Sequence, residues 1–268
     1  MTSNRILLVS PEMFPYTDFS DQSHIIRELA LNLQSKGAEV RVFMPKFGPI
    51  KEMKHRLHEV IRLSGLNISI GRENNPLIIK VASLQTAKIQ VYFLDNEEFF
   101  DRKFYYYDEQ NKLYTDNDLR MIFFNKGVME LLIKLGWIPD VIHCHGWMSS
   151  LVPMFAKTTY KNEPSVKNVK LLYSLFEDEI KQEFGADFDK KAHINIGDDP
   201  ELKFLKKPKT EELFKAGVKY ADGLVVCSDK SNKEMDAFIK GQTKPHIHIN
   251  KNEDEENYKK YFDLIKSL

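Results

Sequence analysis

His143 and His145 close the apolar segment that runs from Pro139 to Trp147, and an imidazole pair at such a place could carry general acid/base chemistry near neutral pH. Side chains alternate along a strand, so both histidines face one side of it at its C-terminal end, where open α/β sheets bind ligands. A second reading stands beside this one: a buried, hydrogen-bonded histidine pair, since a single strand does not supply the ligand set of a metal. Glu12, within Ser10, Pro11, Glu12, Met13, Phe14 and Pro15, follows another apolar run and brings a carboxyl group to a strand end of the same kind. Glu12, His143 and His145 therefore form one candidate acid/base set. Thr115 or Asp116 suits the N-cap of the helical segment that follows it. His246 and His248 lie in a polar stretch with no carboxylate or cysteine at ligand spacing, which argues against a metal there.

These residues need a scaffold, and the hydrophobic pattern supplies one. Arg5 to Ser10 is a continuous apolar run ended by Ser and Pro, as expected of a central parallel strand covered on both faces. From Ser20 the apolar residues take helical spacing until Lys36 and Gly37, and Glu39 to Met44 reads as the next strand. Strand, helix and strand make a right-handed βαβ unit. Leu57 to Leu94 alternates in short runs broken by Gly, Asn and Pro, which predicts hairpin-like excursions. Parallel strands are expected again at Val141 to Cys144, Lys170 to Ser174 and Gly223 to Cys227, with helices near Asp116 to Leu135, Met148 to Thr158 and Thr210 to Tyr220. Gly217 and its small neighbours Ala216 and Ala221 predict a helix lying close on the sheet. The fold class is α/β: a doubly wound, mostly parallel sheet with helices on both faces. Residues 1–240 form this domain, and 241–268 are a charged tail whose weakly amphipathic helix packs on it.

Lys plus Arg number 39 and Asp plus Glu also 39, so no global field draws the chain to nucleic acid or to an anionic membrane. The opening apolar run is too short for a signal-peptide core, and no stretch approaches the ~18 apolar residues of a membrane span, which points to the cytoplasm. Cys144 and Cys227 fall in expected buried strands, which argues against a disulfide and suits a reducing compartment. No pattern calls for a cofactor.

Several blocks, in order along the chain, resemble the glycogen and starch synthases of glycosyltransferase family 5. Ser10 to Pro15 is similar to that family's SEMFP. Phe93 to Asn96 with Phe100, Asp101 and Arg102 is similar to its strand and YDR segment. Tyr114, Thr115, Asp116, Asn117 and Arg120 match YTDNxxR, Pro139 to Trp147 resembles PDVVHAHDWH, and Leu213 to Ser228 resembles FLKAGxxYADxxxxVS. The resemblance implies the Rossmann-like N-terminal lobe of a GT-B glycosyltransferase in glycogen metabolism, with glucosyl transfer from ADP-glucose to the non-reducing end of an α-1,4-glucan as the family reaction. It implies Glu12 and His145 as catalytic residues, Tyr114, Asp116, Asn117, His143 and Trp147 as substrate-binding residues, and an α-glucan or oligosaccharide as ligand. The aromatic run Phe104 to Tyr107 then could stack on sugar rings or pack its loop onto the domain.

The chain also departs from the family pattern. The loop after SEMFP reads KTGGLAD in the synthases, whereas Asp18 stands on the lysine, Ser20 and Asp21 on the glycines and His24 on the aspartate. Acidic side chains facing a phosphate repel it by ~4 kcal/mol per close pair at intermediate dielectric, which speaks against ADP-glucose at this loop. Ser20 and Asp21 instead suit a helix cap. Gly146 and Met148 replace the aspartate and final histidine of HDWH, and Tyr173 to Glu177 replaces a strand ending in His and Asn. Nothing after Lys240 resembles the family's second lobe. A chain inactive alone is expected, with a partner protein or self-association covering the interlobe face, or else a non-catalytic glucan-binding or regulatory relative.

Overall fold

The computed structural model describes residues 4–84, 87–176, 180–197, 199–227, 233–249 and 255–268, with backbone alone at 233–236 and 255. Glu177 and Ser228, named above, lie outside the described residues.

The first strand, β1 (Arg5–Val9), is buried from Ile6 onward and pairs in parallel with β2 (Glu39–Pro45). Between them runs α1 (Asp21–Ser35), and a positive φ of 94° at Gly37 lets the chain turn back to the sheet. A short helix, α2 (Glu52–His55), leads into the excursion read from the alternating pattern: β3 (His58–Glu59), β4 (Leu66–Ile70) and β5 (Glu73–Leu84). β5 is antiparallel to β3, to β4 and to β6 (Ile89–Asp95), while β6 itself is parallel to β2. The excursion thus widens one edge of a parallel sheet.

Next come α3 (Glu97–Phe100), the long helix α4 (Asn117–Leu135) and the fully buried β7 (Val141–His145), which pairs with the other side of β1. The expected helix from Met148 to Thr158 is divided into a 3₁₀ turn over Trp147–Ser149 and α5 (Val152–Lys157). Pro153 in the first turn of α5 is the reason: without an N–H it starts a helix but does not continue one. Then follow β8 (Lys170–Phe176), α6 (Phe188–Ala192), α7 (Thr210–Tyr220), β9 (Gly223–Cys227), α8 (Lys233–Lys240), β10 (His246–Ile249) and α9 (Glu255–Ser267).

The strand order of the ten-stranded sheet is β10-β9-β8-β7-β1-β2-β6-β5-β3, with β4 paired to β5. Both faces are covered. A Cβ at Gly217 of α7 would lie 2.7 Å from the Tyr173 ring on β8, so α7 rests against the sheet where the small residues predicted it. The next residue, Ser174, points to the opposite face and joins a polar cluster under Tyr261 of α9. His246 and His248, read as part of a polar tail, lie in edge strand β10, paired in parallel with β9. No helix among the described residues is long and apolar enough to cross a membrane.

Candidate active site

The chain leaves β1 toward β2 on one side and β7 toward β8 on the other, so the loops following β1 and β7 diverge. This switch point at the C-terminal strand ends is where open α/β sheets bind ligands. A cleft of about 520 Å³ opens there, lined by residues that include Glu12, Phe19, Tyr105, Trp147, Phe176, Ile180 and Cys227. Phe19 packs on Tyr105 with ring centroids 4.3 Å apart, and Tyr106 on Trp147 at 5.4 Å. The aromatic loop packs onto the domain through Tyr106, which is buried, while Phe104, 39% exposed, lines the cleft.

Glu12 is buried, and its two oxygens meet the first turn of α1. Oε1 accepts from Ser20 Oγ at 2.5 Å and Oε2 from the Ser20 N–H at 3.2 Å. Burial pushes the Glu12 carboxyl up to about 8, against the lowering effect of the Ser20 hydrogen bonds. At neutral pH the group is a carboxylic acid with a proton to offer. Ser20 is also the N-cap of α1, its Oγ accepting from the Gln22 N–H at 3.2 Å, as its residue type predicts. Asp18 turns away from the cleft and pairs with His24 at 3.0 Å, and His24 stacks on Phe14. Asp21 remains on the cleft wall.

The histidines lie beneath the cleft, not in it. Both are 1% exposed, with ring centroids 3.9 Å apart. His143 Nε2 is 2.6 Å from Ser174 Oγ and its Nδ1 2.6 Å from the Tyr261 hydroxyl, so it is the buried, hydrogen-bonded histidine of the second sequence reading. His145 has no hydrogen-bond partner on either nitrogen among the described residues, and its ring backs Phe176 of the cleft lining. Desolvation drives His145 down to about 3 and His143 well below its ordinary value, so both are neutral.

Tyr114, Asp116 and Asn117 stand behind the aromatic wall. Asp116 occupies the N-cap position of α4 but makes no capping bond, a correction to the cap reading. Its carboxylate instead binds Arg102 through two charge-assisted bonds of 2.8 and 2.5 Å. Asn117 donates to the Tyr106 carbonyl at 3.1 Å and to Gln182 Oε1 at 2.9 Å, and accepts from the guanidinium of Arg120 at 2.6 Å. Arg120, wholly buried, also donates to the Phe99 carbonyl and lies within 6.0 Å of the ring centroids of Phe47, Phe100, Tyr106 and Tyr114. The whole segment fixes the loop that bears Tyr105 and Tyr106. Of the sequence-predicted site residues, then, Glu12 and Trp147 meet at the cleft, and the others form the layers that hold it. Sequence reasoning missed Arg102, Ser174 and Tyr261 as parts of these layers; the helical spacing of Tyr258, Tyr261 and Leu264 was the available signal for Tyr261.

The model of the starch synthase catalytic domain family matches residues 5–245. The chain belongs to that family. Among its relatives, the glycogen synthase of Chlorobium luteolum is 39% identical over 176 residues, 64% of this chain and 35% of that protein. The glycogen synthase of Chlorobaculum parvum is 34% identical over 234 residues, 86% of this chain and 47% of that protein. The chain thus spans half or less of the length of these family members. In fold it is similar to the catalytic domain of starch synthase IV from Arabidopsis thaliana bound to ADP and acarbose, with a TM-score of 0.78 at 16% identity, covering 93% of this chain and 52% of that one. The mostly parallel sheet with helices on both faces is the Rossmann-like lobe of the GT-B synthases.

Proposed function

We propose that this chain acts in α-glucan metabolism as a glucan-binding lobe of the synthase family, with the cleft at β1 and β7 holding an α-1,4-linked glucose chain. The carrying observation is the cleft itself: aromatic side chains of Phe19, Tyr105 and Trp147 line it together with one buried carboxyl group, Glu12, fixed by Ser20. Sugar rings bind by stacking their apolar C–H faces on aromatic rings while hydroxyls find a few placed polar groups. In this reading Trp147 and Tyr105 stack, Glu12 donates to a sugar hydroxyl, and Ser20 holds Glu12 in place. His145 acts through Phe176, and Tyr114, Asp116, Asn117 and His143 act through the frame.

A sugar nucleotide suits this cleft less well. Asp21, Asp108 and Glu109 line it, and no lysine or arginine does so among the described residues. The N-terminus of α1, a natural anion site, is already occupied by the side chains of Ser20 and Glu12. The family reaction needs cationic groups at a breaking sugar–phosphate bond. We therefore propose that this chain alone does not transfer glucose from ADP-glucose, and that a further surface, from a partner protein or a second copy, meets the open rim at Phe104. The bacterial glycogen synthase relatives support a cytoplasmic site of action.

Maltohexaose titrated into the protein should quench Trp147 fluorescence, and Trp147→Ala should abolish binding measured by calorimetry. A folded wild-type protein that gives no heat with maltohexaose ends this reading. Radiolabel carried from ADP-glucose into glycogen by the isolated chain would refute the second part.

A further inference from the structure

Away from the glucan cleft, and sharing none of its lining residues, an open cavity of about 200 Å³ lies between β4, α4 and the end of α6. Lys126, Glu130, Tyr160 and His193 line it. Lys126 comes from the middle of α4 and is 8% exposed. Its Nζ sits 2.6 Å from the Ser69 carbonyl oxygen and 3.1 Å from His193 Nδ1. On the far side of the ring, His193 Nε2 is 2.7 Å from the Gly71 carbonyl oxygen. A carbonyl oxygen only accepts, so Nε2 carries a proton, and in the tautomer with that proton alone the lone pair of Nδ1 faces the lysine.

A neutral amine at this place uses its two N–H bonds on Ser69 and His193 and keeps its lone pair for a third direction. Nucleophile, base and a carbonyl that orients the base stand within hydrogen-bond reach in that order, the arrangement of an activated nucleophile. We propose that Lys126 is a covalent modification site, an activated amine that takes small acyl groups from acyl phosphates. The Lys126 nitrogen attacks the acyl carbon and forms the N–C bond, the C–O bond to phosphate breaks, and phosphate leaves with the electron pair. The proton released by nitrogen passes to His193 Nδ1 and on to the departing phosphate. A volume of about 200 Å³ admits an acetyl-sized group.

The titratable groups around Lys126 are Glu130 on its own helix, Tyr160 from the segment after α5, and His193. Tyr160 donates to Glu130 at 2.7 Å. Burial lowers Lys126 to about 8, with the Glu130 carboxylate opposing that shift. Near neutral pH an appreciable fraction of the amine is therefore unprotonated, unlike an ordinary surface lysine. The amide product keeps a single N–H, so acylation releases either Ser69 of β4 or His193 and slackens the attachment of the β4–β5 hairpin to α4.

The test is acetyl phosphate applied to the wild-type chain over a range of pH, with acetylation at each lysine followed by peptide mass spectrometry. Lys126 should react ~10-fold faster than the exposed Lys103 at neutral pH, with a rate that levels off above about pH 8. His193→Gln, checked for folding by circular dichroism, should slow Lys126 alone. Equal rates at Lys126 and Lys103 in the wild-type protein overturn the proposal, and that comparison needs no variant.

Discussion

Tyr261 of α9 is hydrogen-bonded to His143 of β7 at 2.6 Å, across 118 residues of sequence, and the phenol ring stacks on the imidazole at a centroid distance of 5.2 Å. The last helix is thereby fastened to the polar cluster beneath the cleft, where His143 also meets Ser174. Tyr261→Phe keeps the stacking and removes one bond, leaving a buried imidazole nitrogen unsatisfied. The expected cost is ~1–3 kcal/mol in urea unfolding, the penalty for such an orphaned group. A variant within experimental error of wild type would mean that water reaches His143.

Glu12 predicts how stability changes with pH. Its carboxyl, raised from 4.5 to about 8, keeps a proton that the unfolded chain releases between those values. The folded state is favoured most below the lower value, and this contribution is lost as pH rises through the window to about 8, a fall on the order of a few kcal/mol. Glu12→Gln should flatten the decline, so the gap between variant and wild-type urea midpoints should widen from about pH 5 to about pH 9. Parallel pH curves for the two proteins would contradict the shift.

Much of the frame could be read from the sequence because the central strands are continuous apolar runs and several helices carry apolar residues at helical spacing. Thr210 to Tyr220 and Gly223 to Cys227 are found where the pattern placed them, and Ser20 caps α1. What stayed hidden depends on distant partners. Asp116 has the residue type of a cap, and only the fold brings Arg102 close enough to outbid the helix N-terminus for its carboxylate. Histidines at alternate positions advertise a site, yet α9 buries one of them through Tyr261, one of three aromatics in a charged stretch. β10 was missed because HisIleHisIle on a sheet edge has no run of buried residues to mark it.

Gly217 tests how closely α7 lies on the sheet. An added Cβ would come within 2.8 Å of three atoms of the Tyr173 ring, whose hydroxyl is held by the Gly146 carbonyl at 3.1 Å. The ring is fully buried and cannot swing aside freely. Gly217→Ala should destabilise by ~1–3 kcal/mol through overpacking, despite the better helix propensity of alanine. Thermal unfolding of the variant checks this, and a raised melting temperature would show that α7 has room to move.

The pair of Arg102 and Asp116 separates a frame role from a ligand role. Asp116 does not line the cleft, but Asn117 beside it donates to the Tyr106 carbonyl and so ties the pair to the loop that carries the aromatic wall. Asp116→Asn removes the charge and one of two bonds to Arg102 and should cost ~1–2 kcal/mol, moderated by the partial exposure of both side chains. If the cleft holds a glucan by stacking, the same change should weaken maltohexaose binding several-fold while hydrogen exchange rises in residues 104–107. An Asp116 in direct contact with sugar would instead lose affinity with exchange in that loop unchanged, so measuring both quantities on one variant decides between the two.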